Sequence, residues 1–399
     1  MYAGMADVAA LTGDSSYIKA IDRICDNIIG KKYYITGGVG ARHSGEAFGS
    51  NYELPNLTAY NETCAAISMV YLFQRMFLFR GESKYIDCLE RTLYNGVISG
   101  MSVDGGRFFY PNPLSSDGKY AFNADNNTTR QPWFGCACCP SNISRFIPSL
   151  PGYVYAVKDN SLYVNLFAAN TATIRVAGKD VTLKQETRYP WDGDIAISIL
   201  KNKGKDFTMK VRIPGWVRGQ VVPSDLYSYA DDVKTGYSIT VNGKKADGNL
   251  TPDGYLSIGR HWKKGDIVRV HFDMKPRIVT ANAKVTDDRG KIAVERGPLV
   301  YCAEAADNNG LNTRHVLLSR RPQFSVTEGH RIANTGNSGR EFSVTKITID
   351  NAQAAVIAGD GTLTSQTISL TLIPYYAWNH RGAGYMDVWM ANTIDGMGE

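Results

Sequence analysis

Tyr17-Ile18-Lys19-Ala20-Ile21-Asp22-Arg23-Ile24-Cys25-Asp26-Asn27-Ile28-Ile29-Gly30 is the stretch on which the reading of the fold turns. Apolar residues recur there at Ile18, Ile21, Ile24, Cys25, Ile28 and Ile29, the 3.6-residue stripe of an amphipathic helix that Gly30 ends. The residues leading into it, Gly13-Asp14-Ser15-Ser16-Tyr17-Ile18, return 68 positions later as Gly81-Glu82-Ser83-Lys84-Tyr85-Ile86. Each copy puts acidic and hydroxyl residues into the first turn of a helix. Further helices are expected over about 62–79 and 84–98. Repeated helix pairs with long connections point to an α/α toroid rather than a compact bundle.

Two polar, glycine-rich loops separate these helices, Thr36–Asn56 and Met101–Cys136. Loops this long inside a compact unit are usually functional. Gly37-Gly38-Val39-Gly40 lacks the spacing of a phosphate loop, and no apolar helix follows it at once. Beyond about residue 157 the pattern changes to period two. Leu162–Phe167, Phe207–Ile213, Tyr237–Val241, Ile267–Phe272, Lys291–Cys302, Phe342–Ile349 and Thr367–Ile373 are β-branched or aromatic runs, and Asn242-Gly243 is a hairpin signal. The expected fold class is α + β and multidomain. An α/α toroid fills residues 1–156, a β-sandwich 157–275, and a second β-sandwich 276–399.

Composition narrows the function classes. The chain has 399 residues, 43% hydrophobic and 21% charged, enough apolar material for more than one core. A net charge of +6, without a run of five basic residues, gives no footprint for nucleic acid. The best apolar stretch, Thr63–Gln74, is too short to cross a bilayer, so no membrane partner is expected. Aromatics are plentiful, with 23 Tyr, 14 Phe and 6 Trp, a composition common in all-β domains and carbohydrate-active proteins. Residues 1–20 hold no basic leader, and Met1–Asp7 reads as a helix interior without a cap, so an N-terminally truncated chain is expected. Compartment and oligomeric state stay open.

Six of the seven cysteines fall in the first 139 residues, three of them as Cys136, Cys138 and Cys139. With Glu62-Thr63-Cys64 they offer thiolates and a carboxylate, suitable ligands for tetrahedral zinc. Positions i and i+2 diverge on a regular helix, so Glu62 and Cys64 converge only at an irregular helix start, with Asn61 expected as its cap. Cys139, just ahead of Pro140, is expected at a helix N-terminus, where the dipole stabilises a thiolate. A structural zinc site, buried free thiols and a catalytic thiolate all remain open on spacing. Glu46, in Ser44-Gly45-Glu46-Ala47-Phe48-Gly49, is either a carboxylate set beside an aromatic for general-acid work or a solvated loop residue. Tyr110 either hydrogen-bonds a sugar or caps the core with its hydroxyl outward. His43 reads as a surface histidine, and Cys25, Cys88 and Cys302 read as core.

Together these motifs resemble the zinc-dependent β-L-arabinofuranosidase family of glycoside hydrolases. The matching strings are Tyr2-Ala3-Gly4-Met5-Ala6-Asp7, Tyr34-Ile35-Thr36-Gly37-Gly38, Glu62-Thr63-Cys64-Ala65, Leu93-Tyr94-Asn95, Tyr110-Pro111-Asn112-Pro113-Leu114, Cys138-Cys139-Pro140-Ser141-Asn142 and Glu295-Arg296-Gly297-Pro298-Leu299-Val300-Tyr301. The resemblance implies Glu62, Cys64, Cys138 and Cys139 as zinc ligands, Cys138 as nucleophile, Glu46 as acid/base and Tyr110 in the sugar site. It implies a retaining hydrolase acting on β-L-arabinofuranosides or a similar pectin-type sugar of plant glycans. Members of that family carry further barrel helices and substrate-binding histidines ahead of the string matched by Tyr2–Asp7. An inactive zinc-containing fragment, or a carbohydrate-binding module, is therefore the competing expectation. Aromatics exposed along one sandwich face would mark the binding role.

Overall fold

The computed structural model describes residues 1–202, 206–319, 321–335, 338–357 and 363–397. The first 154 residues are helices and long loops. Helix α1 spans Tyr2–Thr12, α2 Ser15–Lys31, α3 Thr63–Arg80, α4 Ser83–Arg91 and α5 Cys138–Phe146. The apolar stripe of α2 is buried at Ile21, Cys25, Ile28 and Ile29, and Asp14 caps its start by accepting from the Ser16 N–H at 2.8 Å. The sequence echo is a joint used twice. Gly13 and Gly81 end α1 and α3 in the left-handed conformation, at φ 66° and 77°, and the next helix starts within two residues.

The helix expected over 84–98 is interrupted. It leaves α-helical form at Arg91 and widens into a π turn over Thr92–Val97, followed by a tight turn at Ile98–Gly100. Two side chains explain the change. Asn95 donates its amide to the Arg91 carbonyl at 2.8 Å, in competition with the regular ladder, and Thr92 donates to Gly37 O at 3.1 Å, which ties the turn to the first long loop.

The period-two runs form three sheets. A six-stranded sheet runs Lys244–Lys245, Tyr237–Val241, Ile267–Phe272, Asp194–Asn202, Lys179–Thr187, Asn170–Val176. A five-stranded sheet runs Asn249–Leu250, Tyr255–Arg260, Phe207–Arg212, Ser161–Val164, Tyr155–Lys158. Leu162, Met209 and Ile258 of the second share one buried apolar cluster with Leu183, Ile197 and Val268 of the first. Asn242 and Gly243, at φ 52° and 79°, close the expected hairpin, with Lys244 opposite Val241.

The third sheet, of eleven strands, departs from the sequence reading in two respects. The run Lys291–Cys302 is a hairpin of Lys291–Arg296 and Leu299–Glu304, turned at Gly297-Pro298 with Gly297 at φ 60°. The sheet also recruits strands from outside its own stretch of sequence. Tyr227–Tyr229 pairs with Pro276–Ala281, and Ser115–Asp117, from the second long loop, pairs with Tyr385–Asp387.

That loop is pinned at further points by the C-terminal stretch. Tyr375 donates to Pro113 O at 2.8 Å, the Val388 N–H to Leu114 O at 2.9 Å, and buried Arg130 to Trp378 O at 3.3 Å. Consecutive residues of α4 tie the helices to both sheet regions. Fully buried Arg212 pairs with Glu90 and, at 2.6 Å, with Asp87, while Glu90 also accepts from Tyr189. Arg91 pairs with buried Glu295 at 2.8 Å and donates to the carbonyls of Ile35 and Val221. Among the described residues no helix is long and apolar enough to cross a membrane.

Candidate active site and metal centre

Glu62 and Cys64 converge because Glu62 lies outside the helix. Asn61 sits at φ 36°, Glu62 is extended at φ −61°, ψ 138°, and Cys64 is the second residue of α3. The expected irregular start is present, with one correction. Asn61 is not the cap: Glu62 holds that position, and its carboxylate turns to the thiols instead of the helix N–H groups. The backbone there is fixed from the far side by Thr63, whose N–H and hydroxyl donate to Tyr110 O and Phe109 O at 3.0 Å each. Gly100 must lack a side chain for this, since a Cβ there would meet the Thr63 hydroxyl oxygen at 2.4 Å.

Helix α5 supplies the other donors and also corrects the sequence reading. Cys138 is its first residue and Cys139 its second, so Pro140 is the third helical residue, not the first. Both thiols therefore feel the same helix N-terminus, and the dipole does not tell them apart. Burial does. Cys139 is 0% exposed, whereas Cys138 is half-buried.

The four donor atoms all lie within 4.8 Å of one another. Cys138 Sγ is 3.7 Å from Cys64 Sγ, 3.8 Å from Cys139 Sγ and 3.4 Å from Glu62 Oε1, which is 3.3 Å from Cys139 Sγ. A tetrahedron with zinc–sulfur arms of about 2.3 Å has an edge of about 3.8 Å, and a mixed sulfur–oxygen edge is about 3.6 Å. The cluster fits that ion in spacing and in donor type. Its electrostatics agree. Burial raises the Glu62 carboxyl, and burial with the neighbouring Cys64 charge pushes Cys138 up to about 12. Cys139 is raised as well, by its hydrogen bond to Cys64 and by burial, whereas Cys64 is lowered by accepting that bond. A shared cation would favour the ionised forms that burial and mutual repulsion disfavour at Glu62, Cys138 and Cys139.

Tyr110 is buried, and its hydroxyl meets Cys138 Sγ at 2.6 Å. Of the two alternatives left by the sequence, neither anticipates a tyrosine hydroxyl on the thiol. Cys136 itself is exposed. Glu46 lies in a turn over Ser44–Glu46 at φ 49°, after Gly45 at φ 73°, and is exposed. The aromatic that reaches its carboxylate is Tyr60, which donates to Oε1 at 2.9 Å. The Glu46 charge adds to the rise of the Glu62 carboxyl. Sequence reasoning missed Tyr60, although the residue stands two positions before Glu62. His43 packs edge-on against Tyr60 with ring centroids 4.9 Å apart. Cys25, Cys88 and Cys302 are buried away from these groups, as read.

Successive stretches of the chain match three models of one family. Residues 2–152 match the beta-L-arabinofuranosidase, GH127 catalytic domain, 161–274 the GH127 middle domain, and 276–391 the glycoside hydrolase family 127 C-terminal domain. The chain belongs to glycoside hydrolase family 127. Among family 127 structures it is similar to the β-arabinofuranosidase BT3674, with 59% identity, a TM-score of 0.92, and 100% of this chain against 60% of that one. It is also similar to a β-L-arabinofuranosidase from Geobacillus stearothermophilus T6, with 36% identity and a TM-score of 0.84 over 98% of this chain and 59% of that one. A curated relative, the non-reducing end β-L-arabinofuranosidase of Bifidobacterium longum, is 34% identical over 397 residues. The match covers 96% of this chain and 57% of that protein.

For this family 127 chain the donor set makes a direct prediction. Purified protein should hold about one zinc per chain. Elemental analysis should find the metal lost in Cys64→Ser and retained in Cys136→Ser. Equal loss in both would bring Cys136 into the ligand set and undo this choice of donors.

Proposed function

We propose that the chain carries the catalytic machinery of a retaining glycoside hydrolase that releases β-L-arabinofuranose, or a similar sugar, from plant-type glycans. Residues 1–156 are read as part of an (α/α)6 barrel, 157–275 as a β-sandwich and 276–399 as a second one. The observation that carries the reading is Cys138: the more accessible of two adjacent thiols, 3.4–3.8 Å from three other metal-type donors. Glu62, Cys64, Cys138 and Cys139 would hold zinc, which would keep the Cys138 sulfur ionised at neutral pH and make it a better leaving group later.

In the first step the Cys138 sulfur attacks the anomeric carbon while Glu46 gives its proton to the departing glycosidic oxygen. A carbon–sulfur bond forms as the carbon–oxygen bond breaks. In the second step Glu46 takes a proton from water, water attacks the same carbon, and the carbon–sulfur bond breaks with net retention. Tyr110, hydrogen-bonded to Cys138, orients the thiol toward the sugar site that it lines.

Among the described residues of 157–275, the large aromatics that are exposed are Trp191 and Tyr237, one in a turn and one at a strand start. That is not a row of aromatics along one sheet, so the observation favours the hydrolase over a carbohydrate-binding role. An arabinofuranosyl haloacetamide incubated with the zinc-loaded chain should label Cys138, as mapped by peptide mass spectrometry. Labelling at Cys139 or Glu62 would show that the attacking atom is misassigned.

A further inference from the structure

We infer that Tyr60 is a positioning residue for Glu46, holding one carboxylate oxygen so that the other is presented to the departing group. This rests on the reading of Glu46 as acid/base. The Tyr60 hydroxyl donates to Glu46 Oε1 at 2.9 Å, and no hydrogen bond among the described residues reaches Oε2. The turn beneath Glu46 does not fix that side chain by itself. It is closed by the reciprocal backbone pair between Arg42 and Ala47, both 3.0–3.1 Å, while the residue is exposed and sits at a positive φ. A freely rotating exposed carboxylate would spend little of its time aimed at one point.

Tyr60 is suited to prevent that. It is 5% exposed, its ring is held edge-on by His43, and its carbonyl accepts from the Asn112 N–H at 3.2 Å. Asn112 in turn donates to Asn61 O and to the Thr63 hydroxyl at 3.0 Å each. One rigid segment, Tyr60–Cys64, thus bears both the group that grips Glu46 and two of the metal-type donors. The spacing between acid/base and nucleophile is set by this segment and not by the exposed turn.

Tyr60→Phe tests the assignment, with zinc content and melting temperature as the check on folding. Across aryl β-L-arabinofuranosides of graded leaving-group acidity, kcat should fall roughly tenfold for the poorest leaving groups, the worth of one hydrogen bond to a charged group, and less than about twofold for the most activated, with KM unchanged. A uniform loss over the series, or none, overturns the assignment. Glu46→Gln assayed beside it separates two failures. If its own series is flat, the acid/base reading falls and this inference with it. If its series is steep while that of Tyr60→Phe is flat, only the role of Tyr60 falls. Should Tyr60→Phe not fold, or turnover be too low to rank substrates, chain labelled with 13C at tyrosine Cζ decides. The Tyr60 resonance should move in Glu46→Ala, and an unmoved resonance overturns the assignment.

Discussion

Cys138→Ser is expected to lower kcat by about four orders of magnitude or more on every substrate, activated aryl glycosides included. The serine hydroxyl is a poor nucleophile at neutral pH, and the one carboxylate in hydrogen-bond contact with position 138, Glu62, is assigned to the metal and so is not free to take its proton; the other neighbours are Tyr110, Cys64 and Cys139. A better leaving group does not repair a missing attacking atom. Glu46→Gln gives the opposite pattern, with large losses on natural disaccharides and small ones on activated aryl glycosides, because an activated oxygen needs little protonation. The pair of profiles, measured as kcat against leaving-group acidity, distinguishes the two roles. Parallel profiles would mean that Glu46 acts elsewhere in the reaction, or that Cys138 serves only as a ligand.

The second large effect concerns stability. Arg212→Met should destabilise the chain by about 3–5 kcal/mol, measured by urea unfolding, because it leaves Glu90 as a buried carboxylate without its cation. Arg212 is 0% and Glu90 2% exposed at the side chain, and the Arg212 Nε also donates to Asn165 O at 2.6 Å. Burial raises the Glu90 carboxyl and the Arg212 guanidinium opposes that rise, so removing the cation drives Glu90 toward its neutral form. Arg218→Met is the comparison. Arg218 also pairs with Asp87, at 2.7 Å, but is 22% exposed, and its loss should cost about 1 kcal/mol or less. Equal losses in the two variants would mean that the buried link between α4 and the strand Phe207–Arg212 is not what holds these regions together.

The sequence carries its own account of the local pieces. The stripe of α2 is buried as its spacing requires, and Asn242-Gly243 turns a hairpin because both residues tolerate positive φ. The donor cluster was legible because cysteine and glutamate in those groupings have few other uses, and because two helix starts are short-range features. What escaped depends on contacts between residues far apart in the chain. Nothing near Tyr60 announces that its hydroxyl ends on Glu46, and nothing near Tyr110 announces Cys138. Glu90 and Arg91 read as ordinary polar positions on a helix, although each is buried against a different sheet region. Three-residue strands such as Tyr227–Tyr229 and Ser115–Asp117 are too short to carry a period, and only their partners define them.

The pairing of Ser115–Asp117 with Tyr385–Asp387 has a consequence in time. Ribosomes add roughly 5–20 residues per second, so on the order of tens of seconds separate the synthesis of Cys138 and Cys139 from that of the strand that clamps the loop leading to them. Throughout that interval the nascent chain has its thiols but not the strand that pairs with Ser115–Asp117 in the loop leading to α5. On the proposed zinc site, the loop ahead of the α5 thiols gains this clamp only at the end of synthesis, so chains made in a host poor in zinc should carry more oxidised cysteine than chains made with zinc supplied.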